Sequence, residues 1–220
     1  TLNPTGTANG TVSLTGSGLS YTVTISSITG EGTLGLAIAG GTATDRAGNA
    51  AASATSATFT VDNTAPAVTI GAPSSSLARG GPITYTVTYA DTNFDTSTLT
   101  AANVSLNQTG AANGTVSVSG SGTSYTVTVS GITGDGTLGI SIAAGTATDS
   151  SGNSAQASGA SATFAVDNTA PAVTIGTSSA SITKGGPVTY SITYEDANFN
   201  TSTLPAGNVS LNQNGTATGT

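Results

Sequence analysis

The sequence contains no cysteine, histidine, methionine or tryptophan. Those side chains carry out most redox, nucleophilic and transition-metal chemistry in proteins, so their absence argues against an enzyme. The absence of cysteine also excludes disulfide bonds. Each folded unit must therefore be stabilised by its core and by any ions it binds.

Charged side chains are scarce, at 6% of the residues, and they are unevenly divided. Ten Asp and Glu stand against three Lys and Arg, for a formal net charge of −7. Nucleic acid is therefore not an expected partner, because binding to phosphates needs clustered Lys and Arg.

Helical periodicity is also missing, and no apolar run approaches the ~20 residues that cross a bilayer. We expect no membrane span in this segment. The residues that dominate are Thr, Ser, Gly, Ala and Val, which is typical of short strands with polar outer faces. The composition predicts an all-β fold.

One stretch recurs unchanged: Val61–Gly71 returns as Val166–Gly176. Val61 ends an alternating apolar run, Pro66 interrupts it, and Val68 begins the next run. This order predicts a strand, a stiff linker and a second strand, so we interpret the stretch as a joint between folded modules.

The repeat period of 104 to 105 residues divides the chain into modules. Taking the joint as the boundary, we predict the C-terminal part of one module in residues 1–62, a complete module in 65–167 and the N-terminal part of a third in 170–220. Each partial module needs a complement, because it cannot close a sandwich by itself. The complement is either covalent, within a longer array, or a neighbouring chain. We favour the longer array, because both partial modules contain the stretch equivalent to residues 105–115 of the complete module. Two chains that completed each other would gain nothing from this duplicated strand.

The complete module has seven apolar runs separated by turn residues. The clearest is Ile83–Tyr89, in which apolar and aromatic residues alternate with Thr, predicting Tyr85 and Val87 inside and Thr86 outside. The other six runs are centred on Val68 and Ile70, Val104 and Leu106, Val116 and Val118, Tyr125 to Val129, Leu138 to Ile142, and Phe164 and Val166. Seven short strands in about 100 residues predict an antiparallel sandwich of immunoglobulin (Ig) type.

The VDNTAP joint and the period near 104 residues are accompanied by a recurring DxxGN turn, at Asp45–Asn49 and Asp149–Asn153. Together these features resemble the bacterial Ig-like tandem repeats of large extracellular adhesins, stalks and filaments. The resemblance covers the whole chain. It implies secreted spacer modules in a linear rod, often stiffened by calcium.

The acidic residues concentrate on the joints and on the loops that face them in such a sandwich. At the first joint the predicted metal ligands are Glu31, Asp62, Asn63, Asp91 and Asp95. At the second joint they are Asp135, Asp167, Asn168, Glu195 and Asp196. Oxygen ligands without His or Cys favour Ca²⁺. The alternative is that these residues only form turns, which is how we interpret Asp45 and Asp149.

Three classes of function follow from this pattern. We place a structural repeat of an extracellular fibre, stalk or filament first, with neighbouring modules of the same or an adjacent chain as its partners. An adhesive ligand-binding module comes second, and an enzyme is a distant third. Equivalent segments differ mainly by exchanges among small residues, so the repeats provide no distinctive loop or exposed aromatic cluster for a ligand.

Overall fold

The computed structural model describes residues 1–216 and residue 219. Residues 217, 218 and 220, at the end of the predicted third module, lie outside the described residues. The chain forms two compact units, Thr1–Val166 and Asp167–Thr220.

The first unit begins with seven strands. They are β1 (Thr5–Gly6), β2 (Asn9–Ser17), β3 (Ser20–Thr29), β4 (Gly32–Leu34), β5 (Ala37–Ile38), β6 (Ala54–Thr55) and β7 (Phe59–Val61). β2 pairs with β3, β5 pairs with β6, and β4 lies between β1 and β7.

Ten strands follow the joint. They are β8 (Ala67–Ile70), β9 (Leu77–Ala78), β10 (Ile83–Ala90), β11 (Phe94–Ser97), β12 (Val104–Gly110), β13 (Asn113–Ser121), β14 (Ser124–Thr133), β15 (Gly136–Ile142), β16 (Ala147–Asp149) and β17 (Phe164–Val166). A short 3-10 helix at Ala101–Asn103 precedes β12.

These ten strands form an antiparallel β-sandwich, which confirms the predicted fold class. One sheet has the order β13-β14-β10-β8 and the other the order β12-β15-β17-β9. β11 and β16 form a separate two-stranded ribbon. All these pairings are antiparallel except β9 with β17, which is parallel.

The core lies between the two four-stranded sheets. Along β10, Tyr85 and Val87 are buried while Thr86 is exposed, as the alternation predicts. Val87 pairs with Tyr125 of β14. Since inward residues of the second sheet, such as Leu138, are also fully buried, the two sheets share one apolar layer.

Two buried tyrosines of β10 bond to the segments that follow β15 and precede β17. The Tyr85 hydroxyl donates to the backbone oxygen of Ala162 at 3.0 Å, and its ring lies 6.4 Å from that of Phe164. The Tyr89 hydroxyl donates to Thr146 Oγ1 at 2.8 Å. Each ring therefore contributes apolar area to the core and satisfies its polar end.

Three strands were not predicted from the sequence: β9, β11 and β16. Each has between two and four residues, which is too short for a period of two to be recognised. They are strands because their backbones pair with other strands of the sandwich. β11 and β16 in particular pair with each other.

The second unit contains β18 (Ala172–Ile175), β19 (Ile192–Glu195) and a 3-10 helix at Ala206–Asn208. Ala172 pairs with Glu195 and Val173 with Tyr194. The two strands repeat the antiparallel pairing of β8 with β10, as the sequence repeat predicts.

Candidate cation site at the joint

The joint after β7 is an extended linker held at both ends by buried residues. Val61, the last residue of β7, is 5% exposed, and Pro66, just before β8, is fully buried. Pro66 also fixes its own backbone torsion. The polar residues Asp62, Asn63 and Thr64 therefore lie between two anchored points.

Glu31 holds the linker from the preceding strands. Its Oε1 accepts hydrogen bonds from the backbone N–H of Asn63 at 2.8 Å and from the Thr64 hydroxyl at 2.9 Å. The side-chain amide of Asn63 donates to the backbone oxygen of Gly30 at 2.8 Å. Glu31 and Asn63 thus fix the linker to the β3–β4 turn.

Two asparagines hold the linker from the sandwich that follows. Asn93, in the loop between β10 and β11, donates its side-chain amide to Asp62 Oδ2 at 2.6 Å. Asn153, in the turn after β16, donates to the backbone oxygen of Asp62 at 3.1 Å. The linker is therefore bonded to structure on both sides.

Three carboxylates converge at this point. One oxygen each from Asp62, Asp91 and Asp149 lies within 4.8 Å of the others. We call these three residues the acidic group. Asp149 is 3% exposed, and Asp62 and Asp91 are partly buried. Three segments far apart in sequence supply them: the joint, the loop after β10 and the end of β16.

Amide donors hold each carboxylate in place. Asp62 Oδ1 accepts from the Thr64 N–H at 3.0 Å, and Asp91 Oδ1 from the Asn93 N–H at 2.7 Å. Asp149 Oδ1 accepts from the N–H of Asn153 at 2.8 Å. Burial raises the pKa of Asp149, but the hydrogen bonds from Asn153, Ser151 and Gly152 outweigh it and leave that pKa below its ordinary value. The hydrogen bonds to Asp149 therefore favour its charged form.

Basic side chains provide little compensation for this negative charge. The chain has only Arg46, Arg79 and Lys184, and within residues 1–216 none of them forms an ion pair with the acidic group. Carboxylate oxygens, without nitrogen or sulfur, are the ligands that hard divalent cations such as Ca²⁺ prefer.

The acidic group differs in part from the predicted ligand set. Asp149 forms the DxxGN turn, as we interpreted it, and it also contributes a carboxylate oxygen to the group. Asp95 is exposed on β11 and is not a member. Glu31 and Asn63 fix the linker instead, although Glu31 lines the same cleft as Asp62 and Asp91. Asp45 forms the same turn as Asp149 in the N-terminal part, with its carboxylate bonded to Asn49.

The second unit repeats part of this geometry. Asn198 donates its side-chain amide to Asp167 Oδ2 at 2.6 Å, and its backbone N–H donates to Asp196 Oδ1 at 2.8 Å. These bonds match those that Asn93 makes with Asp62 and Asp91.

The remaining predicted ligands are Glu195, Asn168 and Asp135. Glu195 is the exposed last residue of β19, and Asn168 follows Asp167 in the linker. Asp135 lies in the turn between β14 and β15, where its backbone oxygen accepts from Ala111 at 2.9 Å. In the second unit the arrangement consists of Asp167 and Asp196 with Asn198.

Sequence reasoning missed Asn93 and Asn153 as structural partners of the acidic group. The repeats do carry a signal, because Asn93 recurs as Asn198, and Asn153 repeats Asn49. Asn in a loop has a simple explanation as a turn former, so the recurrence alone does not predict a bond to a carboxylate.

Comparison with known proteins places part of the chain in a family. Residues 20–128 match the family model described as bacterial Ig-like domain (group 3). The chain contains a bacterial Ig-like domain. The matched residues run from β3 to β14, so this Ig-like match crosses the joint and includes Asp62 and Asp91. No curated protein and no solved structure gives a significant match. In the described part of the chain, no helix has the length and apolar character needed to span a membrane.

Proposed function

We propose that this chain is a structural repeat of an extracellular bacterial fibre, stalk or filament, in which bound Ca²⁺ stiffens the joints. The family supports a generic structural or adhesive module, and Ig-like domains of this family are typically non-enzymatic. The partners are neighbouring Ig-like modules, and the assembly is a linear rod. The extracellular location is proposed from the family.

The observation that carries the calcium proposal is the convergence of Asp62, Asp91 and Asp149 at the joint. Asp62 belongs to the linker, while Asp91 and Asp149 belong to the sandwich. A cation bound by all three would therefore tie the linker to the sandwich and reduce bending at the joint.

The hydrogen bonds at the joint already restrict the linker, so a bound cation would add to a stiffness that exists without it. Glu31 and Asn153 already hold the linker from both sides, without a metal. The acidic group nevertheless brings three negative charges close together, and their repulsion opposes that geometry. A divalent cation would remove the repulsion and stabilise the arrangement that the hydrogen bonds define.

The proposal is tested by calorimetric titration of the full chain with Ca²⁺ and by small-angle scattering with Ca²⁺ or chelator. Extracellular sites of this kind bind Ca²⁺ at about 10⁻⁴ to 10⁻³ M, so millimolar Ca²⁺ should give measurable heat and a longer, stiffer particle. Asp62→Asn and Asp91→Asn should each weaken binding. Asp45→Asn is the matched control, because Asp45 forms the same kind of turn as Asp149 outside the group. Identical scattering profiles with Ca²⁺ and with chelator would contradict the calcium proposal.

A further inference from the structure

The N-terminal strands expose an apolar face whose equivalent is buried in the complete sandwich. Tyr21 of β3 and Phe59 of β7 are 57% and 43% exposed, whereas Tyr125 and Phe164, one repeat later, are 7% and 1% exposed. Tyr125 and Phe164 contact tyrosines of β10, with ring centroids 6.1 and 6.4 Å apart, and β10 pairs with β14. In the described part of the chain, β3 has no such neighbour and forms a two-stranded sheet with β2. We call this exposed surface the N-terminal face.

The second unit contains the matching strand, and that strand is shorter than its equivalent. β10 pairs with β8 along Val87–Ala90 and with β14 along Ile83–Thr88. The first pairing recurs in the second unit, where β19 pairs with β18. The second pairing does not recur: residues 187–191 form no strand, and Tyr190 is 59% exposed although its equivalent, Tyr85, is 1% exposed. The strand therefore ends where a partner equivalent to β14 would have to bind.

The register of the sandwich shows how these two surfaces fit each other. Thr86 of β10 pairs with Thr126 of β14. The equivalent residues in the second unit and in β3 are Ser191 and Thr22. Pairing in that register places residues 188–193 along β3, with the apolar side chains of both strands on the same side. Neither strand contains a charged residue, so no charge repulsion opposes the contact.

The stretch that both partial modules contain does not block this pairing. Thr5–Gly6, which forms β1, already lies beside β4 as β12 lies beside β15. The corresponding part of the second unit, residues 210–214, forms no strand. The second unit therefore needs to supply only its equivalents of β8 and β10.

We propose that residues 188–193 of one copy of this chain pair with β3 of a second copy, so that β18 and β19 cover the N-terminal face. The sequence favours a covalent complement for each partial module, and between separate copies the same surfaces provide a noncovalent one. The inference rests on the structural role proposed above, because it takes a neighbouring module as the partner. It does not depend on the cation, since none of the paired residues belongs to the acidic group. The two surfaces differ from each other, so the contact is head-to-tail.

The first experiment measures the mass of the full chain by analytical ultracentrifugation in chelator. The average mass should rise with concentration above the 20.9 kDa of one chain. Tyr21→Asp and Tyr190→Asp each place a charge on one of the two surfaces, and both tyrosines are exposed, so each variant should fold normally and remain monomeric. Thr24→Asp, on the opposite side of β3, is the matched control and should associate like the unchanged chain.

Mixing the two tyrosine variants should restore association, but only as far as dimers. The mixture provides one intact N-terminal face and one intact segment 188–193, and the dimer that they form has no further intact surface. Non-specific aggregation would not give this pattern. An unchanged chain that stays monomeric, or a mixture that does not form dimers, would overturn the proposal.

The second experiment tests the register with cysteines, which the chain otherwise lacks. Chains carrying Thr22→Cys are mixed with chains carrying Ser191→Cys and oxidised. A disulfide-linked heterodimer should form, because directly opposite residues in a sheet lie at a distance that a disulfide spans. Thr24→Cys, two residues further along the same side of β3, is the control partner for Ser191→Cys and should give much less heterodimer. Equal yields from the two mixtures, or no heterodimer from either, would overturn the proposal. Either result leaves the calcium titration of the joint unaffected, so failure of one proposal is distinguishable from failure of the other.

Discussion

The side-chain amide of Asn153 donates a hydrogen bond to the backbone oxygen of Asp62 across 91 residues of sequence, at 3.1 Å. The same nitrogen donates to Asp149 Oδ2 at 2.7 Å. One amide therefore fixes both the backbone of the joint and a carboxylate of the acidic group. The orientation of the linker and the geometry of the candidate cation site are consequently set by the same residue.

Asn153→Ala should destabilise the sandwich by about 1–2 kcal/mol, because it removes bonds to a charged and to a backbone acceptor that are partly shielded from solvent. The measurement is the urea midpoint followed by circular dichroism, in chelator. Asn49→Ala is the matched control, because Asn49 makes the equivalent bond to Asp45 at an exposed turn. Equal shifts in the two variants would mean that Asn153 stabilises only its own turn.

The pH dependence of the DxxGN turn can be tested at Asp45, which lies outside the acidic group. Hydrogen bonds from the side chain and backbone of Asn49, followed by those from Ala47 and Gly48, lower the pKa of Asp45 below its ordinary value. A depressed folded-state pKa means that the ionised carboxylate stabilises the turn above the unfolded-state pKa of about 3.9. That contribution is lost as the pH falls through the lower, folded-state pKa.

Asn49→Ala should therefore raise the pKa of Asp45 toward its ordinary value, measured by an NMR titration of the side-chain carboxyl carbon. Asn113→Ala serves as the control. The Asn113 side chain accepts a hydrogen bond from the N–H of Gly114, which is not a contact with a carboxylate. An unchanged titration of Asp45 in the Asn49 variant would show that the side-chain amide is not the main cause of the shift.

The inward and outward faces of β10 give a second matched pair. Val87 is fully buried, so Val87→Asp places an unpaired charge in the core and should remove most or all of the roughly 5–15 kcal/mol that stabilises a domain of this size. Thr86 is the exposed neighbour, and Thr86→Asp should change the free energy of unfolding by about 0.5 kcal/mol or less. Thermal melts followed by circular dichroism separate the two. Similar melting temperatures would show that the assignment of faces is wrong.

The alternation along Ile83–Ala90 predicted which residues of β10 are buried, because the period of two is geometric and one face must be covered. β9, β11 and β16 could not be predicted in this way. Their residues become strands through partners that are distant in sequence, such as Phe94 with Asp149. Local pattern contains no information about those partners.

The candidate site was predictable to the extent that it follows from topology. The expected Ig-type connections place the loop after β10 and the turn after β16 at the same end of the sandwich, and Asp62, Asp91 and Asp149 do lie together. The role of individual side chains was not predictable. Asp95 is only four residues after Asp91, yet its position on β11 keeps it out of the group. Side-chain direction in a short strand depends on register, which the sequence alone leaves open.

The buried contact between Tyr89 and Thr146 provides the last test, because its two hydroxyls satisfy each other inside the sandwich. Thr146 is 1% exposed and Tyr89 is 3% exposed, and burial raises the pKa of Tyr89, so the phenol remains a protonated donor. Tyr89→Phe should cost about 1–3 kcal/mol, because Thr146 Oγ1 is then buried without this donor. Thr146→Val should cost a similar amount, because the Tyr89 hydroxyl loses its acceptor.

The double variant, Tyr89→Phe with Thr146→Val, should lose less stability than the sum of the two single changes, because replacing both polar partners leaves no unsatisfied group. The free energies of unfolding of all four proteins, from urea titrations, give the coupling. Tyr21→Phe is the control for loss of a phenol, because Tyr21 is 57% exposed. Strict additivity of the two single changes would show that water, and not the other hydroxyl, satisfies each group.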